Sequence, residues 1–216
     1  MTEPVIFVVD DDDAARESVC AFIEAIGYKA TAFPSGEEFL AKLSPDTFGC
    51  LVTDYKMPGM DALDIQEHLV ESGVSLPIIV VSGYADVPTA VRLMKRGALT
   101  LLEKPYQDQE LAEAIAEALA KERKQRSSDQ ERQVVVDRYN TLTDDEPPIM
   151  RMLIGGVPNK AIASRLNLGL RTVERRRQRI LQKVAVQSVP ELAIVITAFG
   201  LNEQEEEPEA KEKLEI

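Results

Sequence analysis

Cys50-Leu51-Val52-Thr53-Asp54 is a short, mostly apolar run that ends on an acid. The same grammar recurs three more times in the first half of the chain. Val5 to Val9 delivers Asp10 and Asp11, Ile78 to Val81 delivers Ser82, and Leu99 to Leu102 leads to Lys104-Pro105. Each run is rich in Val, Ile and Leu and is separated from the next by a stretch of helical periodicity. Strands buried on both faces of a parallel sheet read in this way. In such a sheet the ligand site lies outside the carboxyl ends of the strands, so Asp10, Asp11, Asp54, Ser82 and Lys104 are expected to converge.

The alternation continues throughout residues 1–124. The pattern predicts strands over 5–10, 28–33, 48–54, 77–82 and 99–103. Helices are expected over 14–26, 36–43, 61–72, 88–96 and 107–124. Gly27 and Gly97 stand where helices should stop, and Ser35 with Glu38 has the spacing of a capping box. The fold class is therefore α/β, a five-stranded doubly wound parallel sheet of flavodoxin-like type, followed by a small all-α domain.

The 216 residues carry a net charge of −12, unevenly spread. Residues 1–120 hold 8 Lys and Arg against 21 Asp and Glu, residues 121–201 hold 15 against 9, and residues 202–216 hold 2 against 7. A basic segment within an acidic chain points to a local polyanion-binding surface. No apolar stretch approaches the roughly 18–20 residues that span a bilayer, so no membrane partner and a cytoplasmic location are expected. Cys20 and Cys50 lie in apolar contexts without metal-ligand spacing, and His68 sits among helix-surface acids.

Three carboxylates in one crevice repel each other unless a cation joins them, and oxygen donors with retained water suit Mg2+. Lys104 would supply a second positive charge and Ser82 a hydroxyl donor. Asp54 is then positioned as a nucleophile that becomes an aspartyl phosphate. A single acid at a strand end is common in α/β proteins; that bland explanation does not extend to five groups at the expected strand ends. Asp12 and Asp13 more simply open the first helix, where carboxylates favour the positive end of its dipole.

The stretches Val8-Val9-Asp10-Asp11-Asp12, Thr53-Asp54-Tyr55-Lys56-Met57-Pro58-Gly59-Met60, Val81-Ser82-Gly83 and Glu103-Lys104-Pro105-Tyr106 resemble the receiver domain of two-component response regulators. The resemblance implies that a partner histidine kinase donates phosphate to Asp54. It also implies that Asp11, Asp54 and the backbone carbonyl of Lys56 hold Mg2+, with Asp10 helping through water. A cis peptide before Pro105 is implied, as is a switch pair made by Ser82 and Tyr106. Lys56 and Tyr84 flank the position where the family tunes hydrolysis. Ala62 departs from the usual Gly, so this loop is expected to take another path or to begin its helix early.

After residue 120 charged and small polar residues mark a boundary, giving a receiver over 1–124 and a linker over 125–141. Residues 129–139 have helix potential of their own, with Val134, Val135 and Tyr139 as an apolar stripe for dimer contact or domain packing. Thr143 with Glu146 has capping-box spacing, Pro147-Pro148 suits a first turn, and Gly155-Gly156 stops that helix. Asn159 is expected to cap a short helix, and a turn at Asn167-Leu168-Gly169 leads to another running to about Val184. Ser188 with Glu191 caps a last helix.

At about 100° per residue, Val173, Ile180 and Val184 fall on one side of the helix over 171–184. Arg175, Gln178, Arg179 and Gln182 fall opposite, with Arg171 near the start. A solvated helix face can be basic by chance. Arg and Gln, however, are the side chains that bridge guanine and adenine edges in the major groove. Arg176 and Lys183 lie along one edge, where phosphate contacts are expected. Arg177 projects nearer the packed side and is assigned no role.

Leu142-Thr143, Pro158 to Ala163 and Arg171-Thr172-Val173-Glu174 through Lys183 resemble the LuxR-type helix-turn-helix of NarL/FixJ response regulators. The resemblance spans residues 142–201 and implies double-stranded DNA as a partner, with Lys160 and Thr172 among the contacts. Asp145 stands where the family commonly has Arg, so an intradomain ion pair is expected to be missing. Arg176 stands where His is common.

Residues 202–216 read as an acidic, disordered tail that could compete with phosphates for the Arg-rich helix. The expected function is a phosphorylation-controlled transcription regulator that pairs as a homodimer on phosphorylation, and not an enzyme on outside substrates. A phosphate sink whose output module no longer reads DNA is the alternative. A haloacid-dehalogenase-like hydrolase needs a second acid two residues after its nucleophile. Lys56 occupies that spacing after Asp54, although Asp10 and Asp12 offer it.

Overall fold

The computed structural model describes residues 3–44, 46–83 and 87–201. The chain divides into two units, one ending at Arg126 and the other beginning at Ser127. In the first unit, β1 (Val5–Val9), β2 (Lys29–Phe33), β3 (Gly49–Asp54), β4 (Ile78–Ser82) and β5 (Thr100–Glu103) form one sheet in the order β2-β1-β3-β4-β5. All neighbouring pairs are parallel. Between them run α1 (Asp13–Ala25), α2 (Gly36–Lys42), α3 (Ala62–Glu71) and α4 (Val87–Lys95), and α5 (Asp108–Tyr139) follows β5. Apart from the far end of α5, the ends of these elements differ from the sequence reading by one or two residues at most.

Strand alternation sorts the core into two layers. Phe7, Val9, Leu51, Ile78 and Val80 point toward α2, α3 and α4, where they meet Phe39, Leu63, Ile65, Leu69 and Leu93. Ile6, Val8, Cys50, Val52, Ile79 and Val81 point the other way, onto Ile23 of α1 and Leu111, Ile115 and Leu119 of α5. A period-two split of near-continuous apolar strands is what burial on both faces requires. Gly49 fixes how β3 meets β1: a Cβ there would lie 1.7 Å from the Val5 carbonyl oxygen, so no other residue fits.

Local capping explains where several helices begin. Asp12 caps α1 by accepting from the Ala15 amide at 2.8 Å, as expected of an acid in that place. Asp61 caps α3 in a reciprocal box with Asp64, and Ala62 is the buried first residue of that helix. Ala62 is not among the residues at positive φ, so the position makes no demand for Gly.

The separate linker helix expected over 129–139 is not separate. α5 runs unbroken for 32 residues from Asp108 to Tyr139. The charged stretch over 121–128 has the polar composition of a boundary. It contains no Gly or Pro, and its Lys, Glu, Arg and Gln are good helix formers. Near the end of the first unit, Arg126 donates to the carbonyls of Asp46 and Thr47, both at 2.9 Å, and lies over the Phe48 ring.

In the second unit α6 (Pro147–Ile154), α7 (Asn159–Arg165), α8 (Leu170–Val184) and α9 (Val189–Ala198) enclose one core. Val135 is buried in that core, with Tyr139 packed beside it and Val134 exposed. Pro158, not Asn159, is the N-cap residue of α7. Asn167 at φ 52° makes the turn into α8, a left-handed position that Asn tolerates. Ser188 caps α9 by accepting from the Glu191 amide.

Candidate functional site

Parallel register brings the first set of groups together. Val9 pairs with Thr53, Asp54 with Val81 and Ser82 with Glu103, so Asp10, Asp54, Ser82 and Lys104 all sit at the same end of adjacent strands. The Lys104 ammonium donates to Asp54 Oδ1 at 2.7 Å and to Asp10 Oδ2 at 3.1 Å. Asp54 Oδ2 accepts from the Lys56 amide at 3.0 Å, and Asp10 Oδ1 accepts from the Asp12 amide at 2.9 Å. Asp10 and Ser82 are buried, Asp54 is half-buried, and Asp11 is exposed. The Lys104–Pro105 peptide is cis.

Burial alone would lower the Lys104 pKa, but hydrogen bonds and the charges of Asp54 and Asp10 raise it above its ordinary value. The ammonium therefore stays charged between two carboxylates. Tyr106 is half-buried against the α1/α5 core layer, and burial raises its phenol pKa.

Among the described residues no three acidic, His or Cys side chains gather as a ready metal cage. Asp10 and Asp54 are bridged by Lys104, and Asp11 does not join them in a closed cluster. The oxygen-only donors still suit Mg2+, which binds through one or two carboxylates and keeps several waters. Arg16 was not foreseen: its guanidinium donates to the Asp10 carbonyl at 2.7 Å and pairs with Asp13. Only the three-residue spacing of Asp13 and Arg16 hinted at it. Tyr84 lies outside the described residues.

The second set lies on α8. Val173, Ile180 and Val184 are buried, whereas Arg171, Arg175, Gln178, Arg179 and Gln182 are exposed. Thr172 is half-buried, and Lys160 on α7 is exposed.

Two edge residues, Lys183 and Arg176, have intramolecular partners. Lys183 donates to Glu146 Oε2 at 2.6 Å and to the Thr141 carbonyl at 2.8 Å. Arg176 pairs with Asp145. The pair at Asp145 is of another kind than an Arg there would make: the acid meets Arg176. Glu146 is fully buried. Burial alone would raise its pKa, but Lys183 and the Thr143 amide hold it below the usual carboxylate range. The Thr143–Glu146 box forms by half: the Thr143 amide donates to Glu146, while the Thr143 hydroxyl donates to Asp145 at 2.6 Å.

An acid-and-lysine crevice at the strand ends of a parallel sheet, joined to a helix-turn-helix with an Arg- and Gln-rich second helix, defines a phosphoacceptor module with a nucleic-acid output. The comparisons with known proteins agree. Residues 6–116 match the response regulator receiver domain, and residues 140–196 match the LuxR family of bacterial regulatory proteins. The transcriptional regulatory protein FixJ of Azorhizobium caulinodans is 37% identical over 196 residues, covering 91% of this chain and 93% of its own. Nodulation protein W of Bradyrhizobium diazoefficiens is 33% identical over 201 residues, covering 93% and 88% respectively. The solved structure of the response regulator StyR has a TM-score of 0.83 at 32% identity, over 91% of this chain and all of its own. The chain belongs to the NarL/FixJ family of two-component response regulators, with a receiver domain and a LuxR-type DNA-binding domain. Receiver domains act with histidine kinases and generally bind Mg2+ for phosphorylation. No single helix among the described residues is long and apolar enough to cross a membrane.

Proposed function

We propose that Asp54 accepts a phosphoryl group from a partner histidine kinase and that the phosphorylated chain binds double-stranded DNA through α8. The observation that carries the first part is the Lys104 ammonium fixed 2.7 Å from Asp54 Oδ1. It holds a positive charge where the oxygens of an incoming phosphoryl group would develop theirs. Asp54 attacks phosphorus, a P–O bond forms, and the P–N bond to the kinase imidazole breaks with its electron pair returning to nitrogen. Asp10, Asp11, Asp54 and the Lys56 carbonyl would hold Mg2+, which supplies charge neutralisation when bound. Ser82 then donates to the new phosphoryl oxygens, and Tyr106 follows as the switch. The reaction is self-directed: the chain turns over no outside substrate.

α4 exposes Val87, Val91 and Met94, an apolar face that supports pairing of two receivers after phosphorylation. Two helix-turn-helix units then engage two half-sites about one turn of DNA apart, and avidity raises affinity. Arg171, Arg175, Gln178, Arg179 and Gln182 face base edges; Thr172 and Lys160 contact the backbone. A DNA-binding role fits a cytoplasmic location for this chain.

The test is phosphorylation of the purified chain with acetyl phosphate and Mg2+, followed by borohydride reduction and peptide mapping. The label should fall on Asp54 and be absent from Asp54→Ala. Label retained by that variant would sink the assignment.

A further inference from the structure

We propose that Arg16 is a positioning residue of the phosphoacceptor site: its guanidinium fixes the backbone from which Asp11 projects and so sets the affinity of the site for Mg2+. The inference rests on the phosphoacceptor reading above and deepens it.

Arg16 stands in the first turn of α1, and the start of that helix is well held. The Asp12 carboxylate accepts from the Ala15 amide at 2.8 Å, and the Asp12 carbonyl accepts from the Arg16 amide at 2.9 Å. From there the Arg16 side chain, only 14% exposed, turns back toward the end of β1. One arm of its fork, Nη1, donates to the Asp10 carbonyl at 2.7 Å, and the other, Nη2, pairs with Asp13. A planar guanidinium engaged at both arms is held in one orientation.

Asp11 lies between two planar peptide groups. The first, Asp10–Asp11, is held through its carbonyl by Arg16. The second, Asp11–Asp12, is held through its amide, which donates to Asp10 Oδ1 at 2.9 Å. The Asp10 carboxylate is held as well, since Lys104 donates to its other oxygen at 3.1 Å. With both flanking planes fixed, the Asp11 backbone angles are fixed, and with them the direction in which its side chain leaves the chain. Asp11 is exposed, so its backbone rather than packing orients it. Groups that orient a metal ligand without touching the metal govern affinity by about 10–100-fold.

The charge of Arg16 acts in the opposite direction. A cation beside a Mg2+ site repels the metal, so charge alone predicts that removing Arg16 tightens binding. Positioning predicts that removing it loosens binding. The sign of the effect separates the two.

The test is Mg2+ binding to the unphosphorylated full chain by titration calorimetry, with thermal melting in the absence of Mg2+ as the check on folding. Arg16→Ala should raise the Mg2+ Kd about tenfold. Arg16→Lys keeps the charge without the fork and should raise it by a smaller factor; this variant decides the matter if Arg16→Ala does not fold. Excess Mg2+ should restore labelling of Asp54 by acetyl phosphate, a shift in half-saturating Mg2+ rather than a loss of the reaction. Unchanged or tighter Mg2+ binding by the deciding variant, with the wild type binding Mg2+, overturns this inference alone. Labelling that falls at unchanged Mg2+ affinity overturns it too, since Arg16 would then act on the reaction by another route. A wild type that binds no Mg2+ overturns the metal reading itself, and this inference with it.

Discussion

The two units each place acids against cations, and the two arrangements serve opposite ends. In the first unit one cation, Lys104, bridges two acids that lie at adjacent strand termini. In the second, two adjacent acids, Asp145 and Glu146, each hold a separate cation of α8. The first arrangement is open to an incoming group, with Asp54 half-buried at a crevice. The second is closed at Glu146, which is fully buried, while Asp145 stays exposed. An open cluster is suited to chemistry and a closed one to positioning.

The comparison breaks most violently if the scaffold of the first cluster is disturbed. Gly49→Ala drives a methyl into the Val5 carbonyl and should cost about 3 kcal/mol or more, read as a large fall in Tm. A variant that melts with the wild type would show that the β1–β3 register does not need this glycine.

Next in size is Lys183→Met, which leaves the buried Glu146 carboxylate without its cation. Breaking a buried pair from one side costs about 3–5 kcal/mol. The pH sign follows from the depressed Glu146 pKa. Its contribution is present above the ordinary Glu value and is lost as pH falls through the lower folded value. Urea unfolding across the acid range should show this loss in the wild type and not in Glu146→Gln; identical acid limbs would remove Glu146 from the account.

Arg126→Ala removes two hydrogen bonds to carbonyls and a cation–π contact, costing about 1–2 kcal/mol. Hydrogen exchange should quicken in α5 near residue 126 while the core strands stay protected. Smallest is Asp145→Ala, an exposed pair whose loss should shift stability by under about 1 kcal/mol. A large stability loss there would make Asp145 structural.

The contrast also separates what was legible in the sequence from what was not. Asp54 and its companions were readable because strand ends in a parallel sheet leave the sheet at one edge, so one-dimensional position fixes three-dimensional neighbourhood. The exposed α8 face was readable because helical periodicity fixes which side chains share a side. Arg176–Asp145 and Lys183–Glu146 are 31 and 37 residues apart and follow no period; their meeting depends on how α6 packs on α8. The continuity of α5 was missed because polar composition was read as a break, whereas only Gly or Pro would have forced one. The acidic tail over 202–216 lies outside the described residues.

The central claim is that one carboxylate in the first unit governs DNA binding by the second. It is tested most directly by titrating a selected duplex with the wild type and with Asp54→Ala, each with and without acetyl phosphate and Mg2+. The account predicts that the phosphodonor tightens binding by the wild type and leaves the variant unchanged. Equal tightening in both, or none in a wild type shown to carry phosphate, would contradict it.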